Sequence, residues 1–188
     1  MSDYFNRLIA SSYLLHGDVI AYPTEAVFGI GCLPNNESAL KKVIDVKARD
    51  INKGMILISH DLSYLKKYVN FKEISLAEMK YMEQFWPGPY TFILPALPDV
   101  SFYITGNHST IAVRISSHPL IKSLCEVVGE PLISTSANKS KEAPCKTYRE
   151  TICRLGNLVD YVVEGCTLGY LNPSAIIDLK SKTVIRKG

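Results

Sequence analysis

The chain has 188 residues, 47% of them hydrophobic and 21% charged, with a formal net charge of +3. That is enough apolar material for one substantial core, and the mild charge permits a basic patch without demanding nucleic acid. No apolar run is long enough to span a bilayer, the first residues lack the pattern of a signal peptide, and five irregularly spaced cysteines point to free thiols in a reducing cytoplasm.

Residues 3–16 read as a helix closed by Gly17, with Phe5, Leu8, Ile9, Ser12 and Leu15 near one face. A strand is expected over residues 19–22, stopped by Pro23, which has no N–H for a ladder. Thr24 and Glu25 follow at once, and Gly29 and Gly31 allow a close backbone return. Polar groups at the end of a buried strand can form the wall of a site; Thr24 can equally be a local cap. Asn35 or Asn36 can cap a helix that reaches Lys47. Arg49 lies two residues on, and a strand is expected at 54–59.

Asp61 can cap a short helix, and Ser75 with Glu78 forms a capping box for a helix reaching Phe85. Trp86-Pro87-Gly88-Pro89 must end that helix and turn the chain. Strands are expected at 90–95 and 110–115, separated by a loop over 98–109. Arg114 falls among apolar neighbours in the second strand and needs an anionic or hydrogen-bonding partner if buried. Pro119 suits the first turn of a helix closed by Gly129. A short strand at 131–133 then leads into Ser134-Thr135-Ser136-Ala137-Asn138, the densest hydrogen-bonding cluster in the chain. Thr147 and Glu150 can box a further helix, and late strands are expected at 160–163, 174–179 and 183–186. No repeat or linker interrupts 1–188, which reads as a single domain. The irregular mixture of elements indicates an α/β or α+β fold with a mixed sheet.

Lys47, Arg49 and Arg114 could bind an anion, the guanidinium groups bidentately and the lysine as a point charge. Lys47 and Arg49 could instead form a solvated helix end. Ser134, Ser136 and Asn138 could orient substrate oxygens or merely cap a turn. There is no GxSxG, no GxxxxGK[ST] and no GxGxxG, so a nucleotide would be held without a Walker loop or a dinucleotide-binding fingerprint. The four histidines form no metal-ligand spacing.

The ordered blocks YPTEAVFGIG, VKAR with KGMILI, FWPGPYTFIL, TIAVRISSHP, PLISTSANKS and NPSAIID resemble the YrdC/TsaC family, and of its members the single-domain bacterial TsaC type. The resemblance implies a twisted mixed parallel and antiparallel sheet with flanking helices around a deep basic cavity. It implies synthesis of L-threonylcarbamoyl-AMP, diphosphate and water from L-threonine, bicarbonate and ATP, with Mg2+ accompanying the nucleotide. The product would pass to a separate threonylcarbamoyl transferase complex that modifies adenosine 37 of tRNA.

Carried over, Lys47 and Arg49 are expected at the ATP phosphates and in catalysis. Ser136 and Asn138 are expected on the nucleotide side, with Thr110, Pro144 and Arg186 as further contacts. Thr24, Arg114, Ser134 and Ser174 are expected around threonine and its carbamate. No dedicated protein metal site is implied. Three positions depart from the family pattern: Ala26 replaces a threonine, Asp50 a proline and Lys141 a glycine. Binding of tRNA or double-stranded RNA by a basic surface is the rival reading. Carbamoyl transfer, as in hydrogenase-maturation relatives, is another.

Overall fold

The computed structural model describes residues 2–188, with side chains from residue 5 onward. Helix α1 covers Ser2–His16, and Gly17 follows it at φ 89°. Strands β1 (Ile20–Pro23) and β2 (Phe28–Gly31) form an antiparallel hairpin. Helix α2 (Glu37–Lys47) is capped by Asn36, whose side chain accepts from the Ala39 N–H, and it closes on Ala48 in the left-handed region. Strand β3 (Ile56–Ser59) comes next, and Asp61 then caps a short 3-10 turn over Leu62–Leu65. Helix α3 (Leu76–Glu83) starts on the expected Ser75–Glu78 capping box and ends two residues earlier than the sequence suggested.

Strand β4 (Tyr90–Pro95) follows the Trp86-Pro87 turn. The presumed loop contains a helical turn, α4 (Phe102–Thr105), capped by Ser101. Then come β5 (Thr110–Ile115), α5 (Pro119–Val128), β6 (Leu132–Ser136), α6 (Tyr148–Leu155), β7 (Tyr161–Val162), β8 (Ala175–Asp178) and β9 (Val184–Arg186).

These strands form one mixed sheet in the order β7-β1-β2-β6-β3-β5-β4-β8-β9. The pairs β1/β7, β3/β5 and β4/β8 are parallel, and the other neighbours are antiparallel. Two local expectations change. Pro23 ends the ladder from within it, standing opposite Phe28 as the last pair of the hairpin, and the Thr24 N–H closes the turn on the Val27 carbonyl at 3.1 Å. Ser134 and Ser136 do not lie past a strand. They pair with Ile56 and Gly29 and so belong to β6 itself.

Strand alternation divides the side chains between two faces. Leu57, Phe92, Ile111, Val113, Ile133 and Ile177 pack in the main core with Leu40 and Val43 of α2. On the other face Ile20, Tyr22, Ile58 and Leu132 pack beneath α1 and α5, through Ala10, Leu14, Ile121 and Leu124. Those two helices cover only part of that face, and the remainder forms a concave cavity. Gly31 permits the close packing beneath: a Cβ there would lie 1.7 Å from the Ile133 carbonyl oxygen and 2.9 Å from the Tyr22 hydroxyl.

Candidate active site

The cavity measures about 430 Å³, within the range of small-molecule sites, roughly 300–1,000 Å³. Its floor is the uncovered sheet face: Gly29 from β2, Ser134 and Ser136 from β6, Ile56 from β3, and Thr110, Ala112 and Arg114 from β5. Ile93, Ile176 and Asp178 continue it, and Arg186 of β9 closes one side. Alternation along β5 explains the composition, since Thr110, Ala112 and Arg114 share a face while Ile111, Val113 and Ile115 enter the core.

The register gives the cavity a direction. Ala112, Ile56 and Ser134 form one row across the sheet, and Arg114 and Ile58 form the next. Gly54 precedes β3 on the side where the parallel strand β5 begins at Thr110. Arg114 is therefore four residues along β5 from Thr110, about 13 Å at ~3.3 Å per residue.

Arg49 belongs to the Thr110 end. Its Nε and Nη2 donate to the Gly54 carbonyl at 3.1 and 2.8 Å. It lines the cavity beside Lys53 and His108. Burial lowers its pKa, and the charge of Asp50 opposes that shift. Asp50 itself does not line the cavity: its carboxylate caps the turn over Ile51–Lys53 by accepting from Asn52 N and Nδ2 at 3.0 and 2.9 Å.

Lys47 is placed differently from a free phosphate ligand. It is 3% exposed and does not line the cavity. Its ammonium donates to the Ser136 carbonyl at 2.5 Å, the Asn138 carbonyl at 2.8 Å and Asn138 Oδ1 at 2.9 Å. Burial, and then the charge of Arg49, brings its pKa down to about 8. Asn138 is equally committed. Its Oδ1 accepts from Ser136 Oγ at 2.6 Å, and its Nδ2 donates to the Lys139 and Glu142 carbonyls at 2.7 and 2.8 Å. Lys47 and Asn138 thus fix the end of β6 and the turn after it, from behind the cavity wall. In that turn Lys141 stands at φ 71°, a left-handed conformation that favours glycine. Pro144 also lies outside the cavity lining.

Thr24 serves in both of the ways its position allowed. It lines the cavity, and its hydroxyl donates to the Val27 carbonyl at 2.7 Å within the hairpin turn. Ala26 lines the cavity beside it. Ser174 Oγ and Thr91 Oγ1 are 2.8 Å apart, and Arg186 donates through Nη2 and Nε to the Ser174 carbonyl at 2.6 and 3.2 Å. Burial lowers the Arg186 pKa, and the charges of Arg114 and Arg49 add to that.

Glu25 was read with Thr24 as a polar group able to wall a site, but without a role toward substrate or a partner. It is 1% exposed and lines the cavity. Its Oε1 accepts from Ser116 Oγ at 2.6 Å and from the Ser117 N–H at 3.1 Å, while Oε2 lies 3.6 Å from Arg114 Nη2. Neither Glu25 Oε2 nor Arg114 Nε has a hydrogen-bond partner. The signal was present as an acidic residue directly after Pro23-Thr24, but only the fold brings it to Arg114, 89 positions later.

Among the described residues, no group of three or more His, Cys, Asp or Glu side chains is placed to hold a metal ion. The two lining carboxylates are Glu25 and Asp178, and Asp178 Oδ1 already accepts from Ser181 N and Oγ. Nor is any helix of the described residues long and apolar enough to cross a membrane.

Residues 12–188 match the Sua5/YciO/YrdC family model, described as telomere recombination. A threonylcarbamoyl-AMP synthase of Photobacterium profundum is 44% identical over 177 residues, covering 94% of this chain and 96% of its own length. One from Vibrio parahaemolyticus is 42% identical over 99% of this chain and 100% of its own. The crystal structure of P. abyssi Sua5 complexed with L-threonine superposes with a TM-score of 0.87 at 27% identity, over 96% of this chain and 52% of that one. The crystal structure of E. coli YciO gives 0.85 at 28% identity, over 99% and 90%.

Proposed function

Since the chain belongs to the Sua5/YciO/YrdC family, we propose that it is a threonylcarbamoyl-AMP synthase, joining L-threonine, bicarbonate and ATP with release of diphosphate and water. The observation that carries this reading is the division of one cavity into two cationic ends. Arg114, buried with an unpartnered Nε, suits the carboxylate of an amino acid. Arg49 and the exposed Lys53, towards the Thr110 end, suit the phosphates of a nucleotide. The hydroxyls of Ser134, Ser136 and Thr110 lie on the same cavity floor. The likeness to a Sua5 complexed with L-threonine agrees with an amino-acid end.

Catalysis is mainly a matter of position. Threonine binds at Arg114 as the zwitterion; once its ammonium has given a proton to solvent, the neutral amine attacks bicarbonate between the two ends, water leaves, and the resulting carbamate oxygen attacks the α-phosphorus of ATP as diphosphate leaves. Arg49 and Lys53 offset the charge on the departing diphosphate. Lys47 and Asn138 act one step back, by holding the carbonyls and hydroxyl at the end of β6. Mg2+ would enter as part of the nucleotide substrate, with phosphate oxygens as its main ligands, because both lining carboxylates are engaged within the protein. The product would serve tRNA modification by a separate transferase.

The test is diphosphate release by the purified protein, with ATP and with threonine or bicarbonate omitted in turn. Release that requires both substrates is expected. Release unchanged without threonine would overturn the assignment.

A further inference from the structure

We propose that Glu25 sets the charge of the Arg114 subsite, so that this end of the cavity accepts a net-neutral amino acid and turns phosphates away. The inference rests on the synthase reading and adds a determinant of selectivity to it. Four Lys or Arg side chains line the cavity: Arg49, Lys53, Arg114 and Arg186. Among the described residues, Arg114 is the one of these that forms an ion pair with a carboxylate. Arg49 and Arg186 are held instead by the neutral carbonyls of Gly54 and Ser174.

The Glu25 carboxylate is not free to swing away. Ser116 Oγ and the Ser117 N–H fix Oε1, which leaves Oε2 facing the guanidinium at 3.6 Å. That separation is too long for a hydrogen bond, so the guanidinium keeps its N–H donors while its charge is opposed at close range. Donors remain for a carboxylate, but the pair as a whole carries little net charge.

This distinction matters because both substrates are anionic where they bind. Threonine is a zwitterion with no net charge, whereas a phosphate or the triphosphate of ATP carries about −2 or more. An unopposed Arg114 would attract phosphates at least as well as it attracts threonine. ATP could then be drawn into the cavity the wrong way round, and cellular phosphate would compete with the amino acid. A fixed carboxylate beside the guanidinium discriminates by repulsion, and sends polyanions to the Arg49 and Lys53 end.

The test uses orthophosphate as the probe and threonine-dependent ATP consumption as the readout. In the wild type, orthophosphate should inhibit competitively against ATP and not against threonine. In Glu25→Gln, which keeps the side-chain shape, a component competitive with threonine should appear at phosphate concentrations at least tenfold below the highest at which the wild type shows none, with the KM for ATP changed under threefold. Glu25→Asp, which keeps the charge, should stay nearer the wild type. Glu25→Gln that loses activity without gaining phosphate competition would mean a merely structural role and would overturn the inference. If that variant does not fold, the wild type decides alone, because phosphate inhibition competitive with threonine would also overturn it. Failure of the synthase reading is separately visible, as a wild type with no threonine-dependent consumption at all.

Discussion

Lys47 demonstrates how a side chain can belong to a site without facing it. The lysine was legible in the sequence as one half of a cationic pair with Arg49, but its direction was not. Lys47 is the last residue of α2 and Arg49 lies beyond the left-handed Ala48, so only the fold decides that one points into the cavity and the other into the wall. Lys47→Met should leave the Asn138 carbonyl without its donor, and the Ser136 carbonyl and Asn138 Oδ1 with one donor each, the Asn138 N–H and Ser136 Oγ. Unfolding in denaturant should show a loss of about 2 kcal/mol, together with a fall in turnover of tenfold or more. Arg49→Ala should reduce turnover comparably with a smaller change in stability, because its lost partners are the carbonyl of Gly54 and, at 3.5 Å, that of the exposed Lys53. Equal stability losses in the two variants would argue against this division of roles. Glu25 was hard to find for a related reason. A carboxylate after a strand is unremarkable until the sheet sets it against Arg114.

At the scale of elements, caps and periodicity were the most readable features. Asn36, Asp61, Ser75 and Thr147 all cap the turns they were expected to cap, since a cap depends on a few neighbouring residues. The extent of β6 was less readable, because Ser134 and Ser136 are polar and are recruited into the sheet by neighbours remote in sequence. The start of α3 offers a direct check on capping. Glu78 accepts from Ser75 Oγ and N, and lies beside Lys180, which holds its pKa at about 2 against an ordinary value of 4.5. A carboxyl depressed on folding stabilises fully above its unfolded value, and that stabilisation disappears as pH falls through the folded value. Stability should therefore decline between pH 4.5 and about 2, and Glu78→Gln should flatten this part of the pH profile. An unchanged slope in the variant would remove Glu78 from the acid response.

For the molecule as a whole, the mixed sheet was expected from the irregular mixture of elements and the basic cavity from the resemblance, while the strand order follows from pairings that no local pattern specifies. The cavity draws on strands from β2 to β9, so occupying it should brace the entire sheet. A non-hydrolysable ATP analogue at 100 times its dissociation constant should stabilise the protein by about 2.7 kcal/mol. Calorimetry should show the whole unfolding transition moving as one. A part of the transition that stays in place would reveal a region uncoupled from the site.

The position of β9 bears on how the protein is made. Arg186 enters the cavity from the final strand of the described chain, whereas Thr24 enters from the first hairpin. A polypeptide emerging from the ribosome would thus have its main core strands long before it had a finished cavity. Contacts so distant in sequence form late and close slowly. Nascent intermediates would lack the Arg186 side of the cavity, which would be finished only once β9 had been made.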